Sequence, residues 1–305
     1  MPRLKIGTRG SPLALCQARE TRTRLIAAHG LAEDEIEIVT ITTTGDRIRD
    51  RPLADIGGKG LFTKEIEEAL MAGDIQLAVH SMKDMPAHLP PGLEIAAILP
   101  REDAREAFLS PVASAIMALP QGAMVGSSSV RRTAQLLRLR PDIRTVQFRG
   151  NVETRLRKLA DGVAQATFLA AAGLNRLGLA GKITALVPIE QMLPAVAQGA
   201  IGVEIRSDDE ATRKLLANIN HRDSDIAVAC ERAFLTALDG SCRTPLAGHA
   251  TLAGGVLHFR GHALTHDGVH CFETTRSGSP ADAERMGREA GEEVRARGGA
   301  LIAFS

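Results

Sequence analysis

The sequence predicts an α/β protein with two doubly wound domains facing each other across a cleft, followed by a small α+β C-terminal domain. Three observations predict it. The chain has 305 residues, enough for two or three buried cores. Strand and helix signals alternate in two successive runs, one before Pro100 and one after it. From Asp223 onward the order changes to one helix, several strand-like pieces and a closing helix. The expected boundaries are 1–99 with 200–218 for the first domain, 104–195 for the second and 222–305 for the third.

In the first run, Arg3–Thr8 reads as a strand. Ser11-Pro12 supplies an N-cap and a first-turn proline for a helix that stops at Gly30. Glu35–Ile41 alternates with period two, as a half-buried strand does. A long loop, Thr43–Gly60, carries Gly57-Gly58-Lys59-Gly60, and a loop of this length inside a compact domain is usually functional, disordered or a lid. A helix ending near Gly73 and strands at Ile75–His80 and Leu93–Leu99 follow. The second run places strands at Met124–Gly126, Arg144–Phe148 and Ala166–Ala170, with helices at Ser129–Leu139 and Val152–Ala160 between them. Ile201–Ile205 (strand) and Asp209–Asn218 (helix) are expected to return to the first domain. The third unit has a helix from Asp223 through Leu238 and strands at Gly248–Leu252, Val256–Leu264 and Val269–Thr275. Its closing helix spans Ala281–Arg297.

Composition excludes several classes. The N-terminus lacks the apolar stretch of a signal peptide, and no run of apolar residues is long enough to span a membrane. Four scattered cysteines, Cys16, Cys230, Cys242 and Cys271, contain no CxxC pair, which argues against a metal cluster and suits a reducing cytoplasm. No metal site is expected. Net charge is only +1, yet nine cationic residues and only two acids lie between Gly126 and Lys158, so this segment calls for an anionic partner. With no Trp or Tyr and eight Phe, a base-stacking platform is hard to build, which disfavours nucleic acid. A small, carboxylate-rich ligand fits better.

Three βα junctions share one design: Thr8-Arg9-Gly10-Ser11, Gly126-Ser127-Ser128-Ser129 and Arg149-Gly150-Asn151. Helix N-termini favour anions, and Arg9, Arg131, Arg132, Arg149 and Arg155 stand in or just after these turns, where guanidinium groups can grip carboxylates. Capping alone would explain any single turn; three with arginine at each favour a ligand. Asp84, in Ser81-Met82-Lys83-Asp84, follows a strand and so sits where open α/β sheets bind ligands. Cys242 lies in a polar turn beside Arg243, a setting that lowers a thiol's pKa. Cys16 and Cys230 fall on helices and Cys271 in a strand, and all three read as packing.

These residues belong to eight stretches: TRGSPLAL (8–15), IGGKGLFTKEIE (56–67), AVHSMKDMP (78–86), VGSSSVRR (125–132), FRGNVETRL (148–156), AAGLNRLGL (171–179), LPAVAQGAIGVE (193–204) and ERAFLTALDGSCRTPL (231–246). Together, in this order, they closely resemble the porphobilinogen deaminases over nearly the whole chain. The resemblance implies first and second domains like type II periplasmic binding proteins, and a dipyrromethane cofactor held through a thioether at Cys242. It implies that four porphobilinogens are joined head to tail, each losing ammonia, and that water releases hydroxymethylbilane. Asp84 would protonate the leaving amine and stabilise the azafulvene cation.

By the same resemblance, Lys83, Ser129, Arg131 and Arg132 would hold the cofactor. Arg9, Ser11, Arg149, Arg155, Arg176 and Gln198 would hold substrate, with Lys59 and Phe62 at the lid and cleft mouth. The implied protein is a cytoplasmic monomer that hands its product to uroporphyrinogen III synthase. Two positions depart from the family pattern: Asp55 stands where lysine is frequent, and Ser241 where glycine is usual. The rival expectation is a non-enzymatic binding protein for a carboxylate-rich anion, which would need neither Asp84 nor a reactive thiol.

Overall fold

The computed structural model describes residues 4–47, 61–240 and 244–302. In chain order the first strands and helices are β1 (Leu4–Arg9), α1 (Pro12–His29), β2 (Ile36–Ile41), α2 (Thr44–Arg47), α3 (Lys64–Ala72), β3 (Leu77–Ser81) and β4 (Leu93–Ile98). Then come β5 (Glu106–Leu109), β6 (Met124–Gly126), α4 (Val130–Leu139), β7 (Arg144–Val146), α5 (Val152–Ala160), β8 (Ala166–Ala170), α6 (Ala171–Arg176) and β9 (Ala185–Val187). The chain continues through β10 (Ile201–Arg206), α7 (Glu210–Ala217) and α8 (Arg222–Ala237). It ends with β11 (Leu246–Ala253), β12 (Val256–Leu264), β13 (Cys271–Gly278) and α9 (Ala283–Gly298).

The described chain divides into two compact units, one of residues 4–47, 61–102 and 199–225, the other of 103–198 and 226–302. The first unit is built on a sheet of order β2-β1-β3-β10-β4. Here β1 runs parallel to β2 and β3, while β10 is antiparallel to both β3 and β4. One face buries Leu4, Ile6, Leu77, Val79 and Val203 beneath Ala18 and Leu25 of α1 and Leu216 of α7. The other face packs Ala78 and Leu93 against Ile66 and Leu70 of α3. Helices on both faces make this sheet doubly wound, as expected.

The second unit repeats the plan in a sheet of order β7-β6-β8-β5-β9. There β6 is parallel to β7 and β8, and β5 is antiparallel to β8 and β9. The reversed strand comes late in the chain for the first sheet (β10) and early for the second (β5). The same unit carries the antiparallel sheet β11-β12-β13, which packs against α9. Two α/β sheets and a small C-terminal sheet with its helices bear out the expected fold class.

The capping chemistry read from the sequence is present. Ser11 accepts a hydrogen bond from the Ala14 N–H, Pro12 opens α1, and Gly30 closes it in the left-handed conformation at φ 65°. Ser129 and Asn151 cap α4 and α5 by accepting from the Arg132 and Thr154 N–H groups. Some elements differ from the expectation. The expected Thr43–Gly60 loop begins with the helical turn α2, while residues 48–60 lie outside the described residues. Strands β5 and β9 were not expected, and neither was α6. No helix among the described residues is long and apolar enough to cross a membrane.

Candidate active site

In the first sheet, the connection after β1 leads to β2 on one side, and the chain then crosses back to β3 on the other. Open α/β sheets leave a crevice at such a reversal, at the carboxyl ends of the strands. The first unit has a solvent-open recess there. Its lining includes Arg9 at the end of β1, Ser11 before α1 and Gln17 within it, Phe62 and Thr63 before α3, His80 and Ser81 at the end of β3, and Asp84 just after it.

Asp84 sits in a single helical turn, Met82–Asp84, tied down at both ends. The Met82 N–H donates to the Ala200 carbonyl, and the Met85 N–H donates to the Met82 carbonyl. Met82 is fully buried, and its sulfur occupies the space where a side chain at position 202 would start. A Cβ on Gly202 would lie 2.0 Å from that sulfur. A larger residue there would push the Met82 side chain out of its place under the turn. Asp84 itself is exposed, and among the described residues its carboxylate takes no hydrogen bond. A rigidly mounted, open carboxylate can exchange a proton or face a cation.

Arg9 is gripped on two sides. Its Nη2 donates to Asp46 Oδ1 at 2.5 Å, its Nε shares the same carboxylate, and its guanidinium lies 4.1 Å from the centre of the Phe62 ring. Burial would raise the Asp46 pKa, but hydrogen bonds from Arg9 and Thr43 outweigh it and hold this carboxyl below its ordinary value. Asp46 therefore occupies the fork that the sequence reading reserved for a ligand carboxylate. Nothing in the sequence marked Asp46, because only the fold of α2 brings it to Arg9.

Beneath the recess lies a buried acid cluster. His80 Nε2 and Glu204 Oε2 are 2.9 Å apart, on neighbouring strands β3 and β10. Glu67 of α3 is buried as well; its pKa is raised from 4.5, by loss of hydration first and then by the Glu204 charge. The unfolded chain then ionises Glu67 near pH 4.5 while the folded chain still holds the proton, so this residue's contribution to stability falls as pH rises through the folded pKa. Glu67→Gln cannot ionise. Its unfolding free energy relative to wild type should therefore increase between pH 4 and pH 8 in parallel urea titrations. A pH-independent difference would show that Glu67 is not held protonated.

In the second unit, the equivalent reversal lies between β6 and β8. Arg131 and Arg132, in the first turn of α4, are buried and turn toward Glu106 at the start of β5. Arg131 Nη2 donates to Glu106 Oε1 at 2.5 Å and Arg132 Nη2 to Oε2 at 2.6 Å. Their Nη1 groups donate to the Leu193 and Phe168 carbonyls. Gln198, also fully buried, donates to Glu106 and to the Ala104 carbonyl. Both arginines are thus part of a buried ion cluster, so replacing either acts on folding as well as on any ligand it holds.

No local signal marks Glu106, because the strand that buries it, β5, is only four residues long. Glu106→Gln leaves two buried guanidinium groups without their counter-ion, and should cost about 3–5 kcal/mol in urea unfolding. A loss below about 1 kcal/mol would mean the cluster does not hold the fold.

The remaining expected residues fall as follows. Arg149 is half-buried, with Nη1 enclosed and without a hydrogen-bond partner among the described residues. It precedes Gly150, whose φ of 124° only glycine adopts readily. Arg155 Nε donates to the Gly150 carbonyl. Ser129 caps α4, Arg176 ends α6, and Lys83 stands beside Asp84. Lys59, Cys242, Asp55 and Ser241 lie outside the described residues.

A doubly wound sheet with an open carboxylate at its switch point, in a chain whose second sheet holds a buried surplus of arginine, defines a class of protein that handles small anions. Two family models match the chain: "Porphobilinogen deaminase, dipyromethane cofactor binding domain" over residues 4–214 and "Porphobilinogen deaminase, C-terminal domain" over 226–296. The chain is 60% identical to the porphobilinogen deaminase of Paracoccus denitrificans, over 96% of its own length and 94% of the relative's. It is 54% identical to that of Nitrobacter hamburgensis, over 96% and 93%. A methionine-binding lipoprotein structure from Bacillus subtilis, described as putative, is similar at a TM-score of 0.44 and 11% identity, covering 72% of this chain and 90% of that one. The chain belongs to the porphobilinogen deaminase family.

Proposed function

We propose that the protein is a hydroxymethylbilane synthase that condenses four porphobilinogen molecules head to tail with loss of ammonia. The observation that carries this reading is 60% identity to a porphobilinogen deaminase along nearly the full length of both chains. The chemistry of the described residues supports it. Each porphobilinogen brings two carboxylates, and the Glu106 cluster pairs two guanidinium groups with one carboxylate, leaving a net positive charge. The enclosed, unpartnered Arg149 Nη1 is a donor suited to a ligand carboxylate. These features fit a dipyrromethane, which when bound supplies the pyrrole carbon from which the chain grows.

Within this reading, Asp84 gives a proton to the leaving amine and then, as carboxylate, faces the cationic carbon left behind. Lys83, Ser129, Arg131 and Arg132 serve the cofactor, and Cys242 is its attachment point. Arg9, Ser11, Lys59, Phe62, Arg149, Arg155, Arg176 and Gln198 serve the substrate. The proposal keeps the three-domain division at 1–99 with 200–218, 104–195 and 222–305. It also keeps a cytoplasmic monomer that hands its linear product to uroporphyrinogen III synthase.

The test combines mass and turnover. The purified protein should exceed its sequence mass by two condensed pyrrole units, and should release one ammonia per porphobilinogen consumed. An unmodified mass together with porphobilinogen binding but no ammonia release would favour a binding protein and overturn the proposal.

A further inference from the structure

The C-terminal sheet carries a second cluster of chemistry-bearing side chains. In the antiparallel pair β12 and β13, His262 stands opposite Glu273, and Leu264 opposite Cys271. Alternate residues of a strand share a face, so Cys271, Glu273 and the cross-strand His262 all project to the same side. One ring nitrogen of His262, the Cys271 Sγ and one Glu273 oxygen lie within 4.8 Å of one another. His262 is only 5% exposed, and its Nε2 is buried with no hydrogen-bond partner among the described residues. A buried polar atom left unpaired is costly and calls for an occupant.

We propose that His262, Cys271 and Glu273 form a zinc-binding site, with three protein ligands and water in the fourth position. The donor set selects the metal. Nitrogen, thiolate sulfur and carboxylate oxygen together suit a borderline ion such as Zn²⁺, whereas Mg²⁺ and Ca²⁺ take oxygen alone. The guanidinium groups of Arg260, Arg131 and Arg138 lie close enough to act on His262.

The surrounding charges are compatible with the ion. On binding, Cys271 gives its thiol proton to solvent, and Zn²⁺ with one thiolate and one carboxylate is neutral as a unit. The nearby arginines then face no net positive charge. Glu273 accepts from Arg260 Nε at 2.8 Å and Nη2 at 3.1 Å; one oxygen can turn to the metal while the other keeps the arginine as outer partner. Cys271 and Glu273 are half-buried on the edge strand β13, which leaves an entry path.

The experiment uses the purified, cofactor-bearing protein after chelator treatment, titrated with zinc in competition with a chromophoric chelator. Wild type should bind one equivalent. Cys271→Ser and His262→Ala should each weaken it at least about a hundredfold, since outer partners alone are worth 10–100-fold. Cobalt(II) in place of zinc should give a thiolate-to-metal charge-transfer band in wild type that is absent in Cys271→Ser. If His262→Ala does not fold, Cys271→Ser and the cobalt spectrum decide. No bound zinc, undiminished affinity in Cys271→Ser, or a cobalt spectrum without the thiolate band overturns the site.

Discussion

Cys242→Ala is expected to yield a folded protein with no pyrrole adduct and no sustained product formation. The proposed attachment requires a thiolate to attack the methylene carbon of a porphobilinogen as its carbon–nitrogen bond breaks, forming a carbon–sulfur bond and releasing ammonia. Sequence sets Cys242 beside Arg243, a neighbour that favours thiolate. Two of the described cysteines sit where burial disfavours the thiolate. Cys230 is fully buried in α8, where burial and then Glu231 push its thiol up to about 12. Burial also raises the Cys271 thiol, and Cys16 lies within α1. Because a thioether survives both reductant and denaturant, peptide mapping of unfolded wild-type protein should find the adduct on Cys242 alone. An adduct on any other cysteine, or an unmodified Cys242 in active protein, contradicts the assignment.

Asp84→Asn should lower turnover by at least about 10²–10⁴, the range for losing a positioned general acid, with lost cation stabilisation adding to it. The same change should scarcely affect the fold. Asp84 is exposed and takes no hydrogen bond among the described residues, and exposed substitutions of this kind usually stay within about 0.5 kcal/mol. The turn that carries it is held by backbone hydrogen bonds through Met82 and by the close pass of Gly202, none of which asparagine disturbs. Urea unfolding beside single-turnover kinetics separates the two effects. Near-normal product formation by Asp84→Asn would remove Asp84 from the chemistry.

The contrast with Glu106 is instructive. Asp84 and Glu106 are both carboxylates at strand ends, yet one is open to solvent and the other is enclosed by Arg131, Arg132 and Gln198. Substituting the first is expected to act on rate, and the second on stability. Local sequence does not separate them. The difference arises because Glu106 begins β5, which is inserted between β8 and β9, while Asp84 follows the end of β3.

The sequence by itself determined the elements whose signals are local. Period-two alternation marked β2, and Ser11, Ser129, Asn151 and Gly30 marked the ends of their helices through backbone groups within a few residues. Met124–Gly126, Val152–Ala160, Ala166–Ala170 and Val256–Leu264 lie where the pattern put them. The position of Asp84 after a strand, the arginines at the βα turns and the family resemblance were legible in the same way. Only the tertiary structure decided the rest. Strands β5 and β9 are too short to show a period, and they exist because sheet neighbours satisfy their backbone groups. Asp46 meets Arg9, Glu106 meets Arg131 and Arg132, and His262 meets Cys271 and Glu273 only after packing or strand register removes the sequence distance between them. Charge and hydrogen bonding act over a few ångströms of space, so these partners become defined only when the chain has folded.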